Sequence, residues 1–358
     1  MQDDLFPDDD GALPPAPPSG RRTRTPPPKV KPQPPSDGDA ALARALPRHL
    51  RLGTSSWTYP GWNGLVWDGD YADATLSKRG LTAYAQHPLL RAVSLDRSFY
   101  RPLSASQYAH YAAQVPDDFR FVVKAPSLVS DALVRNENGQ GMQPNPLFLN
   151  PDCAVQDFVQ PALEGLGTKL GALVFQLSPL PSGLLADLPE VLHRLQTMLQ
   201  ALPALQPTAP DGVVAVEVRD PQFLAAGSQT VRDFAAVLRG AGATYCLGLH
   251  AKMPPIADQL PLLRALWPGP LVCRWNLNPL HGAYGYEDAR KLYSPYNQLV
   301  DPDLPTRETL VNVAAGMASK GQNVFVTVSN KAEGCAPLSV RALAQALQQR
   351  LAGPTAAP

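Results

Sequence analysis

The stretch GVVAVEVRDPQFLAAGSQTVRDFAAVLRGAGATYCLGL, residues 212–249, contains the pattern of a complete strand–helix–strand unit. Its two ends, GVVAVEVR and ATYCLGL, are short apolar runs rich in β-branched residues, which are typical of buried strands. Between them, Ser228 is a favourable helix N-cap, and the GAG of residues 240–242 ends the helical pattern. Apolar residues recur there at the spacing of one helix face: Val231, Phe234, Ala235 and Leu238. The stretch therefore predicts one unit of an α/β fold.

The same alternation continues along most of the chain. Helical patterns at residues 188–205 and 306–321, and after Ser339, separate further short apolar runs. The candidate strands are RLGTS, RAVSL, FRFVVK, LGALVFQL, GVVAVEVR, ATYCLGL, LVCRW and NVFVTV. Eight such units over about 300 residues predict a TIM-type (β/α)8 barrel in a single domain. A doubly wound open sheet is the alternative, and it is less favoured because no GxGxxG fingerprint follows the first strand.

The chain ends differ from the barrel in composition. Residues 1–48 include LPPAPPSG and TPPPKVKPQPPSDG, and such a sequence buries too little apolar surface to offset its ordering entropy. We therefore expect a disordered Pro-rich tail over residues 1–48, the barrel over 49–352 and a short tail over 353–358. No apolar run approaches the length of a membrane helix, and MQDDLFPDDD does not resemble a secretory signal. A cytoplasmic location without membrane contact is expected.

Charge, cysteine and histidine patterns limit the function classes. The formal net charge is zero, which argues against broad electrostatic binding of nucleic acid. The four cysteines form no CxxC pair, so we interpret them as reduced, buried thiols. The six histidines form no HxH or HxxxH pattern, so no metal site is predicted. No cofactor is predicted, and the oligomeric state is not indicated.

Polar side chains cluster where the predicted strands end. Active sites of (β/α)8 barrels lie at the carboxyl ends of the strands. Glu217 and Arg219 are two residues apart on one strand and should share a face. The polar strand ends include Ser55, Ser56, Asp96, Lys124, Gln176, Glu217, Arg219, His250, Arg274 and Asn330. A lysine, two arginines and a glutamate together would suit an anionic small molecule, although a purely structural ion network is the alternative.

Three connecting segments add further candidates. The aromatic loop GTSSWTYPGWNG, residues 53–64, offers Trp57 and Tyr59 as a ligand platform, whereas Trp62 favours packing. The segment of residues 128–151 is long enough to form a lid or an unstructured insert. The segment after the seventh strand adds tyrosines that would line the mouth or pack a loop: Tyr284, Tyr286, Tyr293 and Tyr296.

The motifs GTSSWTYPGWNG, SFYRPLS, FRFVVKAPS, LGALVFQLSP, AVEVRDPQF, LVCRWN and NVFVTVSNKAEGCAPLSV occur in this order. With them, residues 50–350 resemble the YecE-like family, domain of unknown function 72. The resemblance implies a TIM-barrel-like fold but no established activity. By position it implies that the family's characteristic residues are Gly53, Thr54, Trp57, Tyr59, Trp62, Phe99, Tyr100, Lys124, Gln176, Glu217, Arg219, Arg274 and Asn330.

The chain also departs from the family pattern. Ser94 and Asp96 stand where the family commonly has Glu and Asn. Asn276 stands where the family has a His-Gly pair, and His281 is a displaced equivalent of that histidine. Lys331 stands where the family has another histidine. The loss of one acid and two histidines counts against a metal-centred mechanism like that of related barrels.

These observations leave three functions open. The favoured hypothesis is an enzyme or binding protein for a small phosphorylated or carboxylated molecule. In it, Glu217 and Lys124 are catalytic, and the ligand-binding residues are Trp57, Tyr59, Tyr100, Gln176, Arg219, Arg274 and Asn330. The second hypothesis is a non-catalytic binding or sensing scaffold whose tail recruits a partner. The third, less favoured because of the neutral charge and sparse metal ligands, is a metal-dependent hydrolase of the nucleic-acid repair type.

Overall fold

A computed structural model of the chain describes residues 29–136, 140–250, 252–282 and 285–353. Within them, eight parallel strands close into a barrel in the spatial order β1-β10-β9-β8-β7-β6-β3-β2. The barrel strands are β1 Leu50–Thr54, β2 Ala92–Leu95, β3 Arg120–Lys124, β6 Leu170–Gln176, β7 Val213–Glu217, β8 Thr244–Leu249, β9 Leu271–Trp275 and β10 Val324–Val328. Two more strands, β4 Leu133–Arg135 and β5 Gly141–Pro144, form an antiparallel hairpin. The TIM-type barrel in a single domain is confirmed, and the open-sheet alternative is wrong.

Helices surround the barrel between its strands. The longer ones are α1 Asp37–Ala45, α2 Asp73–Arg79, α4 Ala105–Ala112, α7 Gln160–Leu166, α9 Leu188–Ala201, α10 Gln229–Gly240, α11 Ile256–Ala265, α12 Tyr286–Tyr293, α13 Leu304–Ser319 and α15 Ala336–Leu351. Single-turn helices are α3 Leu81–Tyr84, α5 Ser127–Ser130, α6 Pro151–Ala154, α8 Ser182–Leu185 and α14 Asn330–Glu333. The predicted N-cap of α10 is confirmed, because the Ser228 side chain accepts a hydrogen bond from the Val231 amide. Helix α15 begins ahead of Ser339, since Pro337 suits its first turn.

The barrel interior follows the period of two along each strand. Alternate residues form a buried apolar layer: Val122, Ala172, Val174, Val213, Ala215, Cys246, Val272 and Phe325. At the amino ends of the strands, Arg51 and Arg120 both bond Asp211 Oδ2, at 2.8 and 2.7 Å. The next inward positions towards the carboxyl ends carry polar side chains. The alternation therefore creates an apolar floor beneath the candidate site.

Gly53 is required by the close approach of β1 and β2. A Cβ atom on Gly53 would lie 1.8 Å from the Ala92 carbonyl oxygen, which no side chain can occupy. The glycine at the start of the aromatic loop thus has a packing reason that is independent of any ligand.

The predicted boundary of the Pro-rich tail is corrected for residues 29–48, which belong to the fold. Val30 is buried, and Pro32 forms a β-bridge with Trp67. Helix α1 is capped by Ser36 and buries Leu42, and Asp39 accepts a hydrogen bond from Arg341 Nε at 2.8 Å. A few apolar anchors and one ion pair hold this segment despite its prolines. Residues 1–28 and 354–358 lie outside the described residues.

The segment of residues 128–151 is partly regular structure. The β4–β5 hairpin follows α5, and residues 137–139 near its tip lie outside the described residues. The Asn145 side-chain amide donates to the carbonyls of Leu128 and Asp131, both at 2.8 Å. These bonds fix the base of the segment, so the expectation of an unstructured insert does not hold for its described residues. Its role as a lid stays a prediction.

All four cysteines are buried and unbridged, which confirms their interpretation as free thiols. Burial raises the pKa of the Cys246 and Cys273 thiols well above the ordinary range. Among the described residues, no helix combines the length and apolar character that a membrane crossing requires.

Candidate active site at the barrel mouth

Five strands bring their last inward side chains to the carboxyl-terminal mouth. The strand register pairs Gln176 with Glu217, and it places Arg274 between Gly248 and Thr327. The side chains in this layer are Lys124, Gln176, Glu217, Arg274 and Thr327. The structure thus brings together the charged and amide residues that strand ends predicted.

Arg274 is the centre of the site. Its side chain is 4% exposed, and its Nη1 donates to Glu217 Oε2 at 2.8 Å and to Gln176 Oε1 at 3.0 Å. Its Nη2 donates to Asp96 Oδ2 at 2.6 Å. Burial alone would lower the pKa of Arg274, but Asp96 and Glu217 outweigh it and raise the pKa. Arg274 is therefore a permanent cation fixed in one orientation by three acceptors.

Arg219 approaches the same glutamate from the other side. Its Nη2 lies 2.7 Å from Glu217 Oε1 and donates to Gln176 Oε1 at 2.8 Å. This contact agrees with the predicted shared face of residues two apart on a strand. Gln176 accepts from both guanidinium groups and so holds them side by side. The two like charges tolerate this proximity because Glu217 lies between them.

Glu217 is completely buried. Burial by itself would raise the pKa of its carboxyl, but Arg219 and then Arg274 outweigh burial, and the net shift is downwards. Gly248 leaves room for this carboxylate, since a Cβ there would lie 3.1 Å from Glu217 Oε1. A carboxylate held ionised in this way is a poor proton donor near neutral pH. The geometry favours Glu217 as the residue that positions the two arginines, rather than as the predicted general acid or base.

Lys124 ends β3 beside this network. Its Nζ lies 3.4 Å from the centroid of the Phe99 ring, and within the described part of the chain it makes no hydrogen bond or ion pair. Burial lowers the pKa of Lys124 to about 7, with Asp96 opposing the shift and Arg274 and Arg219 adding to it. Lys124 is thus an amine that changes charge near neutral pH.

His250 and Tyr286 lie on the side of the mouth nearest Arg219. Burial and, less strongly, Arg219 lower the pKa of His250 to about 4, so the imidazole is neutral. Its Nδ1 accepts a hydrogen bond from the Lys252 amide at 3.1 Å, which places the proton on Nε2. The His250 and Tyr286 rings are 5.2 Å apart. Burial raises the pKa of the Tyr286 phenol, although Arg219 and Arg274 partly oppose it.

Most of the aromatic loop is packed rather than open. Trp57 is 5% exposed and meets Tyr111 edge-on at 5.9 Å. The Tyr59 ring lies 5.0 Å from Trp62 and 5.3 Å from Tyr296. Trp62 is fully buried, as predicted. These contacts do not favour Trp57 and Tyr59 as a ligand platform, and that role stays a prediction.

Asn330 and Tyr100 also lie away from the ion network. Asn330 Oδ1 accepts from Trp62 Nε1 at 3.2 Å and from the Ala336 amide at 2.8 Å, so it ties the aromatic loop to α15. Tyr100 is 63% exposed and contacts Phe99 edge-on. Ligand binding by either residue stays a prediction. Strand periodicity does not predict where these side chains point, because Asn330 lies beyond the end of β10 and Tyr100 follows the 3₁₀ turn after β2.

The departures from the family pattern have definite places. Ser94 Oγ donates to Asp96 Oδ1 at 2.7 Å, so these two residues together present a carboxylate to Arg274. The Lys331 ammonium lies 5.9 Å from the Tyr286 ring centroid. His281 bonds the Tyr293 hydroxyl at 2.7 Å and is therefore engaged with α12. Asn276 is buried, and its Nδ2 has no hydrogen-bond partner among the described residues.

No three His, Cys, Asp or Glu side chains form a possible metal site in the described ranges. The expectation of no metal stays a prediction. The predicted tyrosines separate: Tyr286 reaches the mouth, Tyr293 and Tyr296 pack in a small cluster with Leu277 and Ala289, and Tyr284 lies outside the described residues.

Asp96, Phe99 and His250 complete the site beyond the residues that were predicted to be catalytic or ligand-binding. Asp96 and His250 each follow a predicted strand directly, and this position was the available signal. The family resemblance pointed to Phe99, but strand periodicity did not, because a 3₁₀ turn over Arg97–Phe99 brings its ring back over β3.

Fold and site together define a single-domain (β/α)8-barrel protein with a buried ion network at its carboxyl-terminal mouth. The family model described as "Protein of unknown function DUF72" matches residues 51–358, and the chain belongs to this family. No curated protein matches the chain in sequence.

Two solved structures are similar in fold. A DUF72 family protein of Enterococcus faecalis V583 shares 18% identity, with 83% of this chain and 95% of that chain covered, at a TM-score of 0.51. A DUF72 family protein of Thermotoga maritima MSB8 shares 16% identity, with 85% of this chain and 99% of that chain covered, at a TM-score of 0.48. At 18% identity, the likeness to the Enterococcus faecalis protein supports the barrel fold alone.

Proposed function

We propose that the chain binds a small phosphorylated or carboxylated molecule at the mouth of the barrel and acts on it as an enzyme. The observation that carries this proposal is the local charge. Among the described residues, Lys124, Arg219 and Arg274 face two carboxylates, Glu217 and Asp96. With Lys124 protonated, one positive charge remains uncompensated in a poorly solvated place. A small anion would supply the missing charge at short range.

Buried polar atoms around the network support the same proposal. Arg219 Nε and Thr327 Oγ1 are buried and have no hydrogen-bond partner among the described residues. Such atoms lose the hydrogen bonds that water would give them, which is costly unless another polar group provides a partner. A phosphate or carboxylate has enough acceptor atoms for both. A network whose only role were to close the barrel top would gain from satisfying them internally.

The residues then take different parts. Arg274 is held by Asp96, Glu217 and Gln176, so it supplies a fixed positive field. Arg219 has an unpartnered Nε and a side chain 11% exposed, which makes it the guanidinium best placed to contact the anion. Lys124 provides a further donor, and Glu217 and Gln176 keep both arginines in place.

A thermal-shift series tests the proposal. Wild type, Arg219→Gln and Arg350→Gln would be heated with inorganic phosphate, phosphosugars, nucleotides and small organic acids. Arg350 lies exposed near the end of α15 and serves as the matched control. We expect at least one anion class to raise the Tm of wild type and of Arg350→Gln, and to raise that of Arg219→Gln much less. Equal shifts in all three proteins, or no shift with any anion, would leave the network a structural one.

A further inference from the structure

The Lys124 amine differs from Arg219 and Arg274 in having no hydrogen-bond acceptor within the part of the chain that the structure describes. Arg219 and Arg274 both touch Glu217, whereas Lys124 Nζ lies over the face of Phe99. Lys124 is nevertheless an inward residue of the same layer, next to both guanidinium groups. Once its proton is lost, the amine nitrogen therefore has no hydrogen-bond partner among the described residues.

An amine in such a place is chemically prepared for one reaction class. Lysines that are desolvated in an apolar pocket or lie beside other cations lose their proton readily and become nucleophiles towards carbonyl groups. Both conditions hold here, because Phe99 covers the amine and Arg219 and Arg274 stand nearby. The lowered pKa of about 7 agrees with this geometry, since part of the amine is then unprotonated at neutral pH.

We propose that Lys124 forms a Schiff base with an aldehyde or ketone that carries a phosphate or carboxylate group. This assignment rests on the proposed function, because Arg219 and Arg274 would hold the anionic group while the carbonyl carbon faces Lys124. It adds the substrate class, anionic carbonyl compounds, and gives Lys124 a covalent role.

The step balances without any oxidant or reductant. The lone pair of Lys124 Nζ forms a bond to the carbonyl carbon, and the electron pair of the C=O bond moves to oxygen, which takes a proton. Nitrogen loses a proton to give the neutral carbinolamine. Protonation of its hydroxyl group then releases water and leaves the iminium ion.

Asp96 is the best-placed group for these proton transfers. Of the charges that act on Lys124, Asp96 is the strongest, and its side chain is 37% exposed, so water reaches its carboxylate. Glu217 is fully buried and held ionised between two guanidinium groups. His250 is neutral and lies on the side of the mouth nearest Arg219.

Reductive trapping tests the assignment. Wild type would be incubated with sodium cyanoborohydride and either dihydroxyacetone phosphate or uncharged dihydroxyacetone, and the modified lysines mapped by peptide mass spectrometry. We expect the phosphorylated ketone to label Lys124 about tenfold faster than the exposed Lys320. Uncharged dihydroxyacetone should show a much smaller preference. Labelling of Lys124 no faster than Lys320 by the phosphorylated ketone would overturn the Schiff base, and equal preference with both ketones would overturn the anionic substrate class.

Two variants separate this proposal from the proposed function. Lys124→Arg keeps a cation but cannot form an imine, and Lys124→Met provides a second variant should the arginine perturb folding. We expect neither to give an adduct at position 124, whereas Lys124→Arg should retain stabilisation by inorganic phosphate. Phosphate stabilisation without Lys124 labelling would overturn the Schiff base and leave anion binding intact. Rapid labelling without any phosphate stabilisation would instead overturn anion binding.

Discussion

At the scale of single residues, the mouth depends on how five charges compensate one another. Arg274 and Arg219 share Glu217 and Gln176, and Asp96 holds Arg274. The Lys124 amine has no hydrogen-bond acceptor among the residues that the structure describes. A buried charge is tolerated where its partners remain and becomes costly when one is removed. Substitutions at these positions should therefore have large and distinguishable effects.

Lys124→Met should change the pH dependence of stability. The pKa of Lys124 is about 7 in the folded protein against an ordinary 10.5, so between these values the unfolded chain binds more protons. Lys124 therefore lowers the free energy of unfolding at pH 7, and this destabilising effect becomes smaller as the pH rises towards 10. Denaturant unfolding of both proteins at pH 7, 8 and 9 should show Lys124→Met as the more stable at pH 7, by a margin that shrinks with pH. A margin independent of pH would contradict the lowered pKa, and Lys320→Met is the exposed control.

Glu217→Gln should destabilise the protein strongly. The substitution leaves Arg219 and Arg274 buried side by side without their shared carboxylate. Removing one partner of a buried ion pair costs about 3–5 kcal/mol. Urea unfolding should therefore show a loss of about 3 kcal/mol or more in the free energy of unfolding. Glu287→Gln on the surface of α12 should leave the stability nearly unchanged, because exposed ion pairs contribute little. A loss at Glu217 as small as at Glu287 would mean that the arginines do not depend on it.

At the scale of elements, the strands position the side chains of the ion network. The packing of the loops decides which other side chains lie next to that network. Side chains alternate between the two faces of a strand, so the sequence indicates which residues of β3, β6, β7 and β9 point into the barrel. The inward residues Lys124, Gln176, Glu217 and Arg274 could therefore be predicted together. Asn330 also follows a strand, yet it bonds Trp62 and α15. Its direction is set by long-range packing, which a local pattern does not contain. For the same reason the packing of Trp57 against Tyr111 was not predictable.

The segment before β1 shows the same limit. Its prolines predicted disorder up to residue 48, but Val30 and Leu42 find buried places and α1 packs on α15. Composition gives the average character of a segment, whereas two or three buried apolar side chains decide whether the segment packs against the barrel. This lesson applies to residues 29–48 only.

Leu42→Ala should therefore destabilise the whole protein. Leu42 lies on α1 and is buried against the barrel. Truncating a buried leucine to alanine costs about 2–5 kcal/mol of stability. Leu280→Ala is the matched control because Leu280 is 76% exposed, and it should be nearly neutral. Thermal unfolding would compare the two variants with wild type. A Leu42→Ala protein as stable as Leu280→Ala would show that α1 adds nothing to the barrel.

At the scale of the whole molecule, charge networks close both ends of one apolar barrel. Arg51 and Arg120 meet Asp211 at the amino ends of the strands, and the candidate site occupies the carboxyl ends. The lower network joins β1, β3 and the chain before β7 with ordinary ion-pair geometry. Both arginines of the lower network bond Asp211, although Arg51 Nε also has no hydrogen-bond partner in the described part of the chain. The upper network contains a lysine whose Nζ makes no hydrogen bond or ion pair with the described residues. This contrast between the two ends is the reason to assign function to the mouth.

Asp211→Asn should make the barrel less stable at neutral pH but not in acid. Although burial alone would raise it, the pKa of Asp211 is lowered by Arg120 and Arg51, so this carboxylate stabilises the fold above its ordinary pKa. That contribution is lost as pH falls through the folded pKa. We expect the free energy of unfolding to fall by about 2 kcal/mol at pH 7, which lies between the effects of breaking an exposed and a fully buried ion pair. Unfolding at pH 7 and pH 3 should show this difference narrowing, and a difference that widens in acid would contradict the assignment.

Protection of Lys124 tests anion binding at the mouth most directly. Trinitrobenzenesulfonate would modify the lysines of wild type at pH 7 with and without inorganic phosphate or glycerol 3-phosphate, and peptide mass spectrometry would give the rate at each lysine. If the mouth binds these anions, they will slow modification of Lys124 and leave Lys320 unchanged, and Arg219→Gln will remove most of the protection. Rates at Lys124 that neither anion alters, or that fall equally at Lys320, would contradict an anion site formed by Lys124, Arg219 and Arg274.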